Sequence, residues 1–280
     1  MTRVDATPPS EPRIVVERDA KATAAAVAER LVDALAAAAR RGRADFASTG
    51  GSVPAAVYRS LLAEPMRSRV PWDDLHIWVG DDRFVPRGDL ASNLRPIDRV
   101  LLAGDPSVGL APAPLDPDHV HPWPTDAALA AGRDAASCAA RFEVALRANL
   151  ATDDAGRPVF DAVLVGVGPD GHLLSIFPGS AAFDATGWTT WAPAPRHVKP
   201  EVDRVTLTPM ALDATPNLIV AACGVWRSGI IAELLGGSQE GLANGERRLP
   251  ALRVRRAGAI WMLDAAAAAG LAADDARRLS

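Results

Sequence analysis

Apolar positions along the chain follow two alternating rhythms. Short runs of four or five apolar residues read as buried strands, and alanine-rich stretches with an apolar residue every third or fourth position read as helices. Arg13 to Glu17 predicts an edge strand, and Asp19 to about Arg41 a helix with Val27, Leu31 and Leu35 on its buried stripe and Gly42 at C′. Asp45 to Ser48 predicts a second strand. The loop Thr49-Gly50-Gly51-Ser52-Val53-Pro54 follows and leads into a helix through Leu62, with Ser52 as candidate N-cap and Pro54 in the first turn. Leu75 to Val79 predicts a third strand that runs into Gly80-Asp81-Asp82-Arg83.

The middle of the chain is less regular. Asn93 to Leu102 reads as helical despite Pro96, Gly104 to Pro124 as a long surface loop, and Asp126 to Leu150 as one long amphipathic helix with Leu129, Phe142, Val144 and Leu146 among its apolar positions. Ala162 to Val165 is a short valine-rich run of the kind buried on both faces, and a short helical segment beginning at His172 is expected after it. Further strands are expected at Gly187 to Ala192, Val205 to Leu207, Asn217 to Cys223 and Ala259 to Leu263. Short helices are expected from Pro209, after Gly224 through Leu235, and at Ala265 to Ala269, with a polar glycine loop from Gly236 to Arg248. Alternating strands and helices predict an α/β fold of three layers, a mostly parallel central sheet flanked by helices. Residues 1–12 are expected to be a disordered lead-in and residues 13–280 a single domain.

Composition narrows the class. A net charge of −4 over 280 residues gives no reason to expect a nucleic-acid partner. No apolar run approaches the ~20 residues that cross a bilayer, and Met1 to Pro12 lacks the apolar core of a secretory signal. A cytoplasmic protein is the expectation. Cys138 and Cys223 both lie in apolar-patterned elements and read as reduced core thiols.

In an open parallel sheet, ligands bind beyond the carboxyl ends of the strands, so the chemistry belongs to the loops that follow them. The densest is Gly166-Val167-Gly168-Pro169-Asp170-Gly171-His172. It matches G-x-G-x-x-G literally. Pro178-Gly179 follows too soon for a nucleotide-binding helix, however, and no acidic residue lies about 20 positions on to hold a ribose. His172 is the candidate base, since an imidazole titrates near neutrality, and Asp170 could orient it. Thr49, Gly50, Gly51 and Ser52 could converge backbone N–H groups on an anion or form an ordinary β–α turn. Asp82 and Arg83 fit either anion recognition or a solvated charge cluster; Lys199 and Arg204 add positive charge, and Arg196 with His197 reads as solvated. His119 and His121 beside Asp116 and Asp118 read as surface decoration rather than a metal site, and His76 as a packed strand residue.

Taken in order, TGGSVP, WDDLHIWVGDDRFVP with the later Ser92-Asn93, FDAVLVGVGPDGHLLSIFPGS and HVKPEVDRVTLT resemble the 6-phosphogluconolactonases, over roughly Ser48 to Leu263. The resemblance implies a Rossmann-like fold of the sugar-phosphate isomerase type and hydrolysis of 6-phosphogluconolactone, without metal or organic cofactor. It implies His172 as general base, assisted by Asp170. Phosphate and sugar contacts would come from Thr49, Gly50, Gly51, Ser52, Asp82, Arg83, Gly168, Gly171, Lys199 and Arg204. A small sugar phosphate is then the expected partner, with the oligomeric state open between monomer and weak dimer. Val53, Asp82 and Arg227 depart from the residues usual in the family. The related glucosamine-6-phosphate deaminases typically follow the D-G-H with Ile-Ala-Phe-Asn-Glu-Pro, where this chain has Leu173-Leu174-Ser175-Ile176-Phe177-Pro178. A non-catalytic sugar-phosphate sensor is a third reading.

Overall fold

The computed structural model describes residues 11–236 and 249–271. The proposed lead-in up to residue 10 and the Gly236 to Arg248 loop, apart from Gly236 itself, lie outside them. Seven strands form a wholly parallel sheet: β1 (Arg13–Glu17), β2 (Ala44–Ser48), β3 (Leu75–Val79), β5 (Val120–His121), β6 (Ala162–Val165), β9 (Leu218–Ala222) and β10 (Ala259–Asp264). Their spatial order is β1-β10-β9-β6-β2-β3-β5. Every residue of β2, β6 and β9 is buried, which is why β6 and β9 read as apolar runs rather than as alternating patterns; β2 also buries Asp45 and Ser48. Each buried valine or leucine there contributes ~1.5–3 kcal/mol.

The helices α1 (Ala20–Ala39), α2 (Ser52–Leu62), α3 (Thr125–Ala130), α4 (Ala135–Asn149) and α5 (Ser228–Gly236) flank this sheet. Asp19 caps α1 by accepting from the Ala22 N–H at 2.8 Å. Gly42, at φ +97°, turns the chain out of that helix into β2.

From β2 the chain proceeds outward in one direction, to β3 and β5; from β6 it proceeds in the other, to β9 and β10. The order therefore reverses between β2 and β6, and the crevice beyond their carboxyl ends is where such a sheet accepts a ligand. A second sheet walls this crevice. Its three antiparallel strands, β4 (Asp81–Arg83), β8 (Arg204–Leu207) and β7 (Thr189–Ala192), begin where β3 passes through Gly80.

Several sequence expectations need correction. The Asp126 to Leu150 helix is two helices, broken where Gly132 adopts φ +62°. Leu129 and Val144 are exposed rather than part of a buried stripe. The Gly104 to Pro124 segment is not simply a surface loop: it supplies strand β5 and buries Ala113, Leu115, Val120 and Trp123. The helix of the Asn93 segment starts only at Arg95, with a wide turn over Ile97–Leu102, and the last helix reduces to a short turn at Ala267–Gly270. Ser52 does not cap α2; Gly51 occupies that position at φ +106°, with no side-chain cap. His172 starts no helix. Gly171 at φ +82° and Leu174 at φ +55° fold this stretch into two tight turns instead.

Candidate functional site

A cavity of ≈ 290 Å³ opens at the reversal point. The loop after β2 forms one wall with Thr49, Gly50 and Gly51, and the loop after β6 forms the floor from Gly166 to Pro169, with His172. Arg83 and Arg204 come from the small sheet, and Trp226 and Arg227 from the turn after β9. Residues of the stretches 49–52, 81–83, 166–172 and 196–204 thus meet in one place, joined by Trp226 and Arg227, which the sequence did not single out as site residues.

The turn that presents His172 is built by its own backbone. The Gly168 N–H donates to the His172 carbonyl at 3.0 Å and the Gly171 N–H to the Gly168 carbonyl at 3.0 Å. A Cβ on Gly168 would stand 2.0 Å from the imidazole, so only glycine fits beneath it. Beyond His172, Leu173 and Ile176 exchange two backbone hydrogen bonds, at 3.2 and 2.9 Å. Leu174 lies between them in the left-handed region, a strained conformation for a leucine, and its side chain lines the cavity. Ser175 locks the loop to the small sheet: its hydroxyl donates to the Asp81 carboxylate at 2.6 Å, and its N–H to the Thr206 hydroxyl at 3.3 Å.

Asp170 faces His172 rather than the cavity. Its Oδ1 lies 2.5 Å from the imidazole Nδ1 and accepts the His172 N–H at 3.2 Å. Burial by itself would raise this carboxyl, but the imidazoles of His172 and His197 beside it hold it well below the usual carboxylate range. An ionised carboxylate only accepts, so the proton sits on Nδ1 of His172 and the Nε2 lone pair is left free.

The cationic wall is strained electrostatically. Arg83 and Arg204 are direct partners across the antiparallel register of β4 and β8, where like charges repel. Arg204 is buried, and burial together with the Arg83 charge brings its guanidinium down to about 10. Its Nη2 donates to the Pro200 carbonyl at 2.8 Å, while the buried Nη1 has no partner among the described residues. Arg83 is better held: its Nη1 donates to the Ala91 carbonyl at 2.7 Å and to Asn93 Oδ1 at 2.8 Å. Two crowded guanidinium groups with an unsatisfied N–H between cavity and core make a site that an anion would stabilise.

Other sequence candidates take different places. Asp82 is a loop organiser and does not line the cavity. Its carboxylate accepts the N–H groups of Asn93 and Arg83, both at 2.7 Å, and the Ser92 hydroxyl at 2.9 Å. Burial pushes it up to about 6 despite these bonds. Ser52 lines a smaller adjoining hollow, and Gly171 supports the turn from behind, packed against Leu249 and Ile230. Lys199 is exposed, pairs with Glu201 and stays outside the cavity lining. Asn93 was legible only as part of a motif, yet it is central: a Cβ on Gly50 would stand 2.3 Å from its Oδ1. Arg227 donates to the Val167 and Cys223 carbonyls and stacks over Trp226, its charge centre 3.6 Å from a ring centroid.

Among the described residues no group of His, Cys, Asp or Glu has the geometry of a metal site, and no helix is long and apolar enough to cross a membrane. Cys138 and Cys223 are buried and unbridged.

Comparison with known proteins agrees with the geometry. The profile of the family described as Glucosamine-6-phosphate isomerases/6-phosphogluconolactonase matches residues 18–262. A 6-phosphogluconolactonase of Streptomyces coelicolor is 34% identical over 263 residues, covering 93% of this chain and 95% of that protein. One of Mycobacterium tuberculosis is 32% identical over 257 residues, covering 90% and 96%. The solved structure of a 6-phosphogluconolactonase from Trypanosoma brucei superposes with a TM-score of 0.75 at 28% identity, covering 94% of this chain and all of that one.

Proposed function

The chain belongs to the glucosamine-6-phosphate isomerase/6-phosphogluconolactonase family, and from that premise we propose that it hydrolyses 6-phospho-D-glucono-1,5-lactone to 6-phosphogluconate, the lactonase step of the oxidative pentose phosphate pathway. The observation that carries this reading is the pairing in one cavity of an Asp170-oriented imidazole with a buried guanidinium that lacks an anionic partner.

The phosphate of the substrate sits against the Arg204 guanidinium, with Arg83 and the amides of Thr49, Gly50 and Gly51 around it. Its negative charge relieves the repulsion between the two arginines, so substrate binding and local electrostatics favour each other. The lactone ring extends toward His172. Nε2 of the neutral imidazole takes a proton from water as the water oxygen attacks C1, and the resulting imidazolium is stabilised by Asp170. The tetrahedral intermediate then collapses. The C1–O5 bond breaks, His172 returns its proton to O5, and the acid product ionises. Placement of this kind contributes typically 10²–10⁴-fold from the base alone.

The test is proton release from freshly prepared lactone, followed at constant pH with purified protein. Hydrolysis well above the spontaneous rate is expected. No acceleration, or ammonia release from glucosamine 6-phosphate in its place, would overturn the assignment. Wild-type-like turnover by a folded His172→Ala protein would overturn the base.

A further inference from the structure

The carboxylate behind His172 has a second histidine on its other oxygen. Nε2 of His197 lies 3.0 Å from Asp170 Oδ2, while Oδ1 is 2.5 Å from His172. The three side chains form a line, imidazole–carboxylate–imidazole, with its inner end in the cavity and its outer end half exposed. Phe177 closes one side of the line. Its ring centroid is 4.7 Å from that of His172 and 5.6 Å from that of His197, perpendicular to the latter.

The segment carrying His197 is pinned at both ends. The Ala194 N–H donates to Asp203 Oδ1 at 3.0 Å, and Arg204 Nη2 donates to the Pro200 carbonyl at 2.8 Å. His197 therefore reaches Asp170 from a fixed crest rather than from a free loop. Without it, Oδ2 would face solvent and the carboxylate could rotate about its Cβ–Cγ bond, carrying Oδ1 away from Nδ1. The basicity of His172 depends on that alignment.

We propose that His197 is a positioning residue for the lactonase reaction: by donating from Nε2 to Oδ2 it fixes the rotation of Asp170, and through Asp170 the tautomer and aim of His172. This inference rests on the proposed hydrolysis, and it assigns to the reaction a residue whose sequence context reads only as solvated charge.

The test compares His197→Ala and His197→Gln with the wild type. Removing an exposed, charge-assisted hydrogen bond is expected to lower kcat roughly tenfold, with KM unchanged because His197 does not touch the substrate. Gln, which restores an N–H donor, should recover most of the loss. In an Asp170→Asn background the His197→Ala change should have little further effect, since the two act as one unit. The readout independent of turnover is the His172 Nδ1 proton in the NMR spectrum, assigned by its loss in His172→Ala. In His197→Ala this resonance should broaden or move upfield. Unchanged kcat together with an unchanged Nδ1 resonance would overturn the proposal, as would additive effects in the double variant. Failure of the wild type to hydrolyse the lactone would sink the functional reading instead, and the resonance would still decide whether His197 holds the pair.

Discussion

The five histidines of the chain fall into two clusters of opposite character. In one, His172 and His197 share the Asp170 carboxylate at the carboxyl end of β6. In the other, His76 of β3 and His121 of β5 bond each other through Nδ1 and Nε2 at 2.9 Å. His119 stacks on His76 with ring centroids 4.0 Å apart, and His121 stacks on Trp78 at 3.9 Å. The second cluster has three imidazoles and, among the described residues, no carboxylate in hydrogen-bond contact. Burial first, with the Arg43 charge and the neighbouring rings, drives both His76 and His121 down to about 4. There the rings act as flat, half-polar packing surfaces along an edge of the sheet. The number of histidines therefore says little about chemistry; the carboxylate and the cavity decide it.

The sharpest test of that contrast is one substitution made in both clusters. His172→Asn should cut kcat by roughly 10²–10⁴-fold, the usual value of a positioned base. His121→Asn should leave kcat within about twofold, because it lies away from the cavity lining. Steady-state kinetics on folded proteins decides, and equal losses would break the comparison. Gly168→Ala comes next. The added methyl would overlap the His172 ring, and displacing that ring by about an ångström is expected to cost on the order of 10²-fold in kcat while the protein stays folded.

How much of this was legible beforehand differs between the sheet and the site. Strands β6 and β9 were readable because burial on both faces leaves a continuous apolar run, whereas β2, with Asp45 and Ser48 among its five buried residues, is a weaker signal. Strand β5 was not. Two residues at an edge carry too little pattern, and the proline-rich segment around them gives only turn signals. His172 and Asp170 were readable because glycine and proline crowd around them, but their presentation as a double turn was not. It depends on Leu174 at φ +55°, a conformation no leucine advertises. The direction of Asp82, whose carboxylate binds the Asn93 and Arg83 amides away from the cavity lining, was not legible, since sequence gives adjacency and not direction. Asp81 and Asp82 are neighbours on a strand, so their side chains leave on opposite faces. The link between Asp170 and His197 spans 27 residues and is purely tertiary.

Arg204 offers a smaller but cleaner effect, confined to binding. Arg204→Met keeps the length of the side chain and removes the charge, so KM should rise roughly 10- to 100-fold, the worth of one charged hydrogen bond at ~1.5–3 kcal/mol. Competitive inhibition by inorganic phosphate should weaken in parallel. A fall in kcat at constant KM would instead place Arg204 near the reacting carbonyl.

The packed histidines predict a pH effect on stability, separate from any effect on turnover. Both are depressed to about 4 in the folded chain, against an unperturbed value of about 6.5. Between those limits the unfolded chain binds more protons, so stability rises with pH and is lost as pH falls from about 6.5 toward 4. Allowing for partial exposure, the two together should cost roughly 1–3 kcal/mol between pH 7 and pH 5. Urea denaturation at both pH values measures it. The double variant His76→Gln/His121→Gln should flatten that difference while kcat at pH 7 stays within about twofold of wild type. If the wild type is equally stable at pH 7 and pH 5, or if the double variant loses turnover, the two clusters are not the separate devices that their geometry makes them.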